Sequence, residues 1–182
     1  MSQGRGRRRL LATAPKSAAL GPAARQPAAA PSTPQRGSGL LLVGLALLGM
    51  ALAGYLTTVH YAHVPLACSS SGVVDCQLVL SSAYSVVPGT SLPITVPGML
   101  YFLATLAVAL AQLRRPLEPR LRQLQVGLAG LGLLAALYLI FVELIELGTI
   151  CLWCTSVHVV ILLTLLTAIW RLHPPVASPT RD

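Results

Sequence analysis

CLWCTSVHVVILLTLLTAIW, residues 151–170, contains no Asp, Glu, Lys or Arg and opens on a Cys-x-x-Cys. Its length matches the ~20 residues that a helix needs to cross the hydrocarbon core of a bilayer. Three comparable stretches precede it: Leu40 to Val59, Pro97 to Leu113 and Gln123 to Leu147. The second is the shortest and opens on Pro-Gly, with an earlier start near Leu92 also open. Pro97 suits a first helical turn, where its missing N–H needs no partner. Composition agrees with four membrane helices. Of the 182 residues, 54% are hydrophobic and 10% charged, and the mean hydropathy is +0.72. A water-soluble domain carries about 25% charged residues, so lipid is the expected surroundings of this one. The expected fold class is all-α: a polytopic bundle of four transmembrane helices with a long outer loop that contains a short lid helix.

The charges orient the bundle. Arg5, Arg7, Arg8, Arg9, Lys16, Arg25 and Arg36 precede the first span, Arg114, Arg115, Arg120 and Arg122 join the second to the third, and Arg171 and Arg181 follow the fourth. These are all thirteen Lys and Arg residues of the chain. Four spans put all three segments on one side, and the positive-inside rule makes that side the cytoplasm. Residues 60–96 and 148–150, which hold no Lys or Arg, then lie outside. The net charge of +8 is thereby a topology signal, which sets a nucleic-acid partner aside. Residues 1–38, rich in Pro, Ala, Gly, Ser and Arg, cannot bury enough surface to offset their ordering entropy and read as a disordered cytoplasmic tail. The membrane domain is expected over 39–173, with a second cytoplasmic tail over 174–182.

All four cysteines fall outside or at the outer interface. Cys68 and Cys76 lie in the long loop; Cys151 and Cys154 open the fourth helix. Residues i and i+3 share a helix face, so the two sulfurs of the Cys-x-x-Cys can meet. A helix N-terminus favours a thiolate. Gly148 can end the third helix and Thr149 can cap the fourth, which places Cys151 in the first turn, near water, and Cys154 one turn deeper, within reach of a lipid-soluble oxidant. A closed four-cysteine zinc site is the competing reading. Such sites pair two short Cys-x-x-Cys units, and the 68–76 spacing is wider, so redox chemistry is favoured and no metal is expected. In the loop, Asp75 can cap a short helix from Cys76 to about Tyr84. Its apolar residues Leu78, Val79, Leu80, Val86 and Val87 would lie on the membrane surface as a lid. Cys68 stands before it in a Ser-rich, flexible stretch.

Together these residues resemble the vitamin K epoxide reductase family in its bacterial form, over about residues 40–170. The likeness rests on order and spacing: the loop pair Cys68 and Cys76, then Val79-Leu80-Ser81-Ser82-Ala83-Tyr84, a Gly/Pro-rich return, Glu143 late in the third helix, and Cys-Leu-Trp-Cys-Thr-Ser-Val-His. The resemblance implies a bacterial inner-membrane enzyme that reoxidises a periplasmic thioredoxin-like, DsbA-type protein and passes the electrons to a quinone of ubiquinone or menaquinone type. It implies that Cys68 and Cys76 shuttle electrons from the partner, and that Cys151 and Cys154 reduce the quinone. Ser82 stands where the family has a functional serine, with Tyr84 two residues on. His158 replaces the tyrosine that animal members place after the Cys-x-x-Cys. Many bacterial relatives carry a fused thioredoxin-like domain; nothing after Trp170 reads as one, so a separate partner is expected.

Among other polar residues, Glu143 and Glu146 are spaced i and i+3 near the outer end of the third helix. They are either interfacial or proton acceptors for quinone chemistry. His158, one turn below Cys154, faces the same pocket as a quinone ligand or a structural residue. The alternative function is a small membrane carrier or channel with structural disulfides. It needs polar residues lining mid-membrane, and Thr57, Thr58, Thr105 and Thr164 offer little.

Overall fold

The computed structural model describes residues 33–68, 72–116 and 118–172, with side chains from Arg36 onward. The helices are α1 (Thr33–Ala62), α2 (Cys76–Ser81), α3 (Thr95–Arg114), α4 (Pro119–Phe141) and α5 (Leu152–Leu172). A 3₁₀ turn spans Ala83–Ser85, and α4 continues as a π-helical turn over Val142–Glu146. The four long helices are each apolar and long enough to cross a membrane. α1 packs on α3 and α5, and α4 packs on α3 and α5, so the four close into a ring. The protein is an all-α, multi-pass membrane bundle.

The helix ends differ from the sequence reading where cap chemistry decides them. α1 begins at Thr33, inside the segment read as tail; residues 1–32 lie outside the described residues, as do 173–182. It ends at His63, whose φ of +51° is the left-handed conformation that glycine usually supplies after a helix. α4 starts at Pro119, not Gln123, because proline suits the first helical position. α3 starts at Thr95, which puts Pro97 in the first turn as expected. Gly148 does take a left-handed φ, +63°, and turns the chain out of the π-helical segment.

The bundle is tight because small residues line its seams. Lipid tails are as apolar as a leucine side chain, so membrane helices associate by close packing. A Cβ at Gly49 would stand 2.1 Å from the Phe102 ring, and one at Gly132 2.5 Å from Cζ of Tyr101. Both rings are admitted only because those glycines have no side chain. Leu40, Leu100, Leu131, Leu134 and Leu166 meanwhile point outward, as lipid-facing residues should.

α2 is shorter than expected. Asp75 does cap it, its Oδ1 accepting the Leu78 N–H at 2.9 Å. The helix stops at Ser81, where Ser82 turns extended and donates its hydroxyl to Val79 O. The chain returns through a small hairpin closed by Val87 N–H to Leu92 O and Ile94 N–H to Ser85 O, both at 2.8 Å. Leu80 does not lie on a membrane surface. With Cys76, one turn away on the same face, it buries against Leu56, Val59 and Leu66 at the end of the bundle. Ser69, Ser70 and Ser71, the stretch read as flexible, lie outside the described residues.

Candidate functional site

Two straps carry the loop onto the bundle, and between them they set where the cysteines stand. In the first, Val74 bridges to Ile150 in parallel register. Ile150 N–H donates to Val73 O at 2.8 Å and Asp75 N–H to Ile150 O at 3.2 Å. Cys76 follows that ladder directly on one side and Cys151 on the other. Thr149 does not cap α5 as its position suggested. Its hydroxyl donates to Val73 O at 3.0 Å and reinforces the ladder. The second strap is Trp153, whose Nε1–H donates to Ala67 O at 3.3 Å, beside Cys68. Its ring rests on Tyr55 at 4.7 Å between centroids. Position alone marked Trp153 as a residue of the membrane interface; its bond to the loop required the tertiary structure.

The result is one buried cluster that contains all four cysteines. Cys76 and Cys151 are in its core, 1% and 0% exposed, and Cys68 and Cys154 pack against them. Cys68 and Cys76 are joined by a disulfide, whereas Cys151 and Cys154 are free thiols. The more exposed loop sulfur is Cys68, and the buried one, Cys76, is next to Cys151.

Cys151 precedes the first turn of α5 and caps it. Its carbonyl accepts the Thr155 N–H at 2.9 Å, and its sulfur accepts the Cys154 N–H at 3.3 Å. A capping sulfur receives an N–H that the helix leaves unpaired, and the helix dipole adds to the effect. The Cys154 thiol, hydrogen-bonded to it, holds the Cys151 thiol below its ordinary range; the Cys154 and Trp153 N–H groups act the same way, against burial and the Glu143 carboxylate.

Glu143 is buried at 5% exposure. Its Oε2 accepts the Cys151 N–H at 3.4 Å. The π-helical turn presents it there: Leu147 N–H reaches back to Val142 O and Thr149 N–H to Glu143 O, and the widened turn swings Glu143 toward the cysteines. Such turns inside α-helices are frequent at functional sites. Its i+3 neighbour Glu146 instead faces out, accepting the Tyr84 hydroxyl at 3.4 Å. The nearby Glu146 charge pushes the Tyr84 phenol above its ordinary value.

Beneath Cys154 an apolar cavity of about 290 Å³ enters the bundle. Cys154, His158, Tyr101, Thr95 and Phe102 are among its walls. Two of its polar atoms, the Tyr101 hydroxyl and His158 Nδ1, are buried with no hydrogen-bond partner. Of the residues singled out in the sequence, Cys154 and His158 line this cavity, and Glu143 sits against the cysteine pair. Ser82 and Tyr84 are elsewhere. Ser82 lines a separate, more polar pocket with His60, His63 and Gln77. Tyr101 was not legible beforehand, because a tyrosine in an apolar span reads as packing until its unpaired hydroxyl is seen.

A disulfide packed in one cluster with a free dithiol is an arrangement for exchanging the bond between pairs. The class is therefore a multi-pass membrane oxidoreductase working on thiols. The model of the vitamin K epoxide reductase family matches residues 40–169, and the chain belongs to that family. Comparison with curated proteins finds no match.

Proposed function

We propose that the protein oxidises a separate thioredoxin-like protein at its cysteine-bearing end and delivers the electrons to a quinone in the cavity beneath Cys154. The observation that carries this reading is that cavity. It is apolar, it reaches a free thiol, and it holds two buried polar atoms with nothing to bond. A quinone fits it: a flat apolar ring with two carbonyl oxygens, which the Tyr101 hydroxyl and a ring N–H of His158 can bond. When bound, a quinone accepts two electrons and two protons. The chain's residues supply the rest.

The Cys68–Cys76 disulfide, reached at its less buried sulfur Cys68, is reduced by the partner's dithiol, which becomes a disulfide. The Cys76 thiolate then attacks the Cys151 sulfur of an oxidised Cys151–Cys154 pair, forming a Cys76–Cys151 bond and releasing the Cys154 thiolate. Cys68 attacks Cys76, restores the loop disulfide and frees Cys151. The described arrangement, loop pair bonded and Cys151 and Cys154 free, is the product of that sequence. The Glu143 carboxylate is placed to take a proton released from the pair. In this arrangement Ser82 and Tyr84 contribute to the loop and its latch to Glu146, outside the cavity.

The thirteen basic residues support an orientation with both termini in the cytoplasm and the cysteines on the outer face of a bacterial inner membrane. The test uses detergent-purified protein, a reduced DsbA-type partner and a soluble quinone. Quinone absorbance and partner thiols should fall together, and Cys154→Ala should stop both. Quinone reduction that survives Cys154→Ala defeats the proposal. Loss of neither reactant with intact protein favours structural cysteines in a carrier or channel.

A further inference from the structure

At the end of the bundle opposite the cysteines, Arg171 turns inward. It belongs to the last turn of α5 and is 7% exposed. Its Nη1 donates to Gln112 Oε1 at 2.7 Å. That bond fixes the neighbouring amides. Gln112 must present Nε2 to Leu121 O at 3.1 Å and to Gln125 Oε1 at 3.3 Å. Gln125, 1% exposed, is left with its own Nε2 buried and without an acceptor. Among the described residues no carboxylate pairs with Arg171. Another cation, Arg122, stands at the same end of the bundle, its Nη2 donating to Pro116 O at 2.6 Å. Arg36, Arg114, Arg115 and Arg120 ring the same end, exposed.

This cluster has a surplus of donors and of positive charge. A guanidinium carries five N–H donors, and among the described residues Arg171 spends one on an uncharged amide oxygen and none on a carboxylate. An ionisable residue at a membrane span that lacks a counter-charge is a functional feature by default. An Arg that served only to mark the cytoplasmic boundary would extend its head to water; this one points between helices. At the same end of the bundle a groove of about 350 Å³ runs between α1 and α5, with Ser38, Leu41, Leu166 and Trp170, the residue before Arg171, among its walls. Leu41, Leu166 and Trp170 are each half-exposed on the lipid-facing surface. A Cβ on Gly39, the next residue of α1 after Ser38, would stand 3.6 Å from Arg171 Nη2.

We propose that this end of the bundle binds an anionic phospholipid, its phosphate held by Arg171 and its acyl chain in the α1–α5 groove. A guanidinium fork matches phosphate oxygens in pairs, and basic pockets between membrane helices suit anionic headgroups. The lipid supplies the counter-charge that is missing among the described residues. A groove at the same end of the bundle favours a lipid over free phosphate, which has no use for an apolar channel.

The full chain, stripped of lipid in neutral detergent, is followed by thermal unfolding and by native mass spectrometry. Phosphatidylglycerol, phosphatidylcholine or inorganic phosphate is added in turn. Phosphatidylglycerol should raise the unfolding temperature and stay bound, and the other two should do neither. Arg171→Gln should weaken its binding about tenfold, the loss expected for one charged hydrogen-bonding partner. Should that variant fail to fold, Gln112→Glu places a carboxylate against the same guanidinium and should abolish the preference by internal neutralisation. Equal effects of the two lipids overturn the proposal, as does a phosphatidylglycerol preference that Gln112→Glu leaves intact. Inorganic phosphate matching the lipid overturns the lipid assignment.

Discussion

Tyr101→Phe should strengthen the empty protein and weaken its grip on quinone. The Tyr101 hydroxyl is buried in the cavity wall with no hydrogen-bond partner. A buried hydroxyl left unpaired costs about 1–3 kcal/mol. Phenylalanine keeps the ring, which packs over Gly132 and meets Phe102 edge-on at 4.9 Å, and removes only the oxygen. Taking the low end, the variant gains about 1 kcal/mol, which for a chain of this size raises the unfolding temperature by about 2–4 °C. With quinone present the balance reverses. The hydroxyl then has a carbonyl to bond, a net contribution of about 1 kcal/mol, so the quinone KM should rise about fivefold. Two measurements decide it: intrinsic-fluorescence melting in detergent without quinone, and steady-state quinone kinetics. A purely structural tyrosine changes both in the harmful direction or neither. A variant that melts lower than the parent, or has an unchanged quinone KM, refutes the assignment of Tyr101 to the acceptor site.

Three further outcomes are expected. The depressed Cys151 thiol should stay ionised, and react with a small permeant alkylating reagent, to lower pH than an ordinary thiol. Cys154→Ala removes the largest cause of that depression and should move the midpoint of the alkylation-rate profile upward, read by mass spectrometry; a downward or absent shift contradicts the hydrogen bond from the Cys154 thiol. Trp153→Phe keeps the stacking on Tyr55 but deletes the bond to Ala67 O, about 1 kcal/mol. Reduction of Cys68–Cys76 by a small dithiol should become several-fold faster, and an unchanged rate means the tryptophan does not hold the loop. Gly132→Ala drives a methyl group into the Tyr101 ring, with Cβ 2.5 Å from Cζ, an overpacking of about 1–3 kcal/mol. Lower melting together with a raised quinone KM is expected, whereas a neutral result shows that the seam can open.

The strength of the cysteine site lies in connections that are local at each end and long-range between them. Cys151 caps its own helix, and Glu143 is presented by the turn just before it. Cys76 is delivered by a two-residue ladder to Ile150, which lies 76 residues beyond Val74 in sequence but directly opposite in space. One short parallel contact therefore registers the two redox pairs, and Trp153 adds a second tie from within the Cys-x-x-Cys itself.

The sequence by itself determined the four spans, the segregation of every basic residue to three segments, and the Asp75 cap of α2. Each depends on length, charge or local backbone bonding, which sequence carries directly. It also marked the four cysteines, with Glu143 and His158 near the second pair. Helix ends were legible only in part: Pro119 was overlooked, and Thr149 was read as a cap although its hydroxyl serves the ladder. Tertiary structure alone decided which loop sulfur is buried against Cys151, that Ser82 and Tyr84 stand outside the cavity of Cys154 and His158, and that Tyr101, Gln125 and His158 carry buried polar atoms without a partner. Hydropathy cannot supply these facts. Whether a polar atom in a membrane helix finds a partner depends on which face the neighbouring helices present, and that is set by packing at the small-residue seams rather than by the order of residues along any one span.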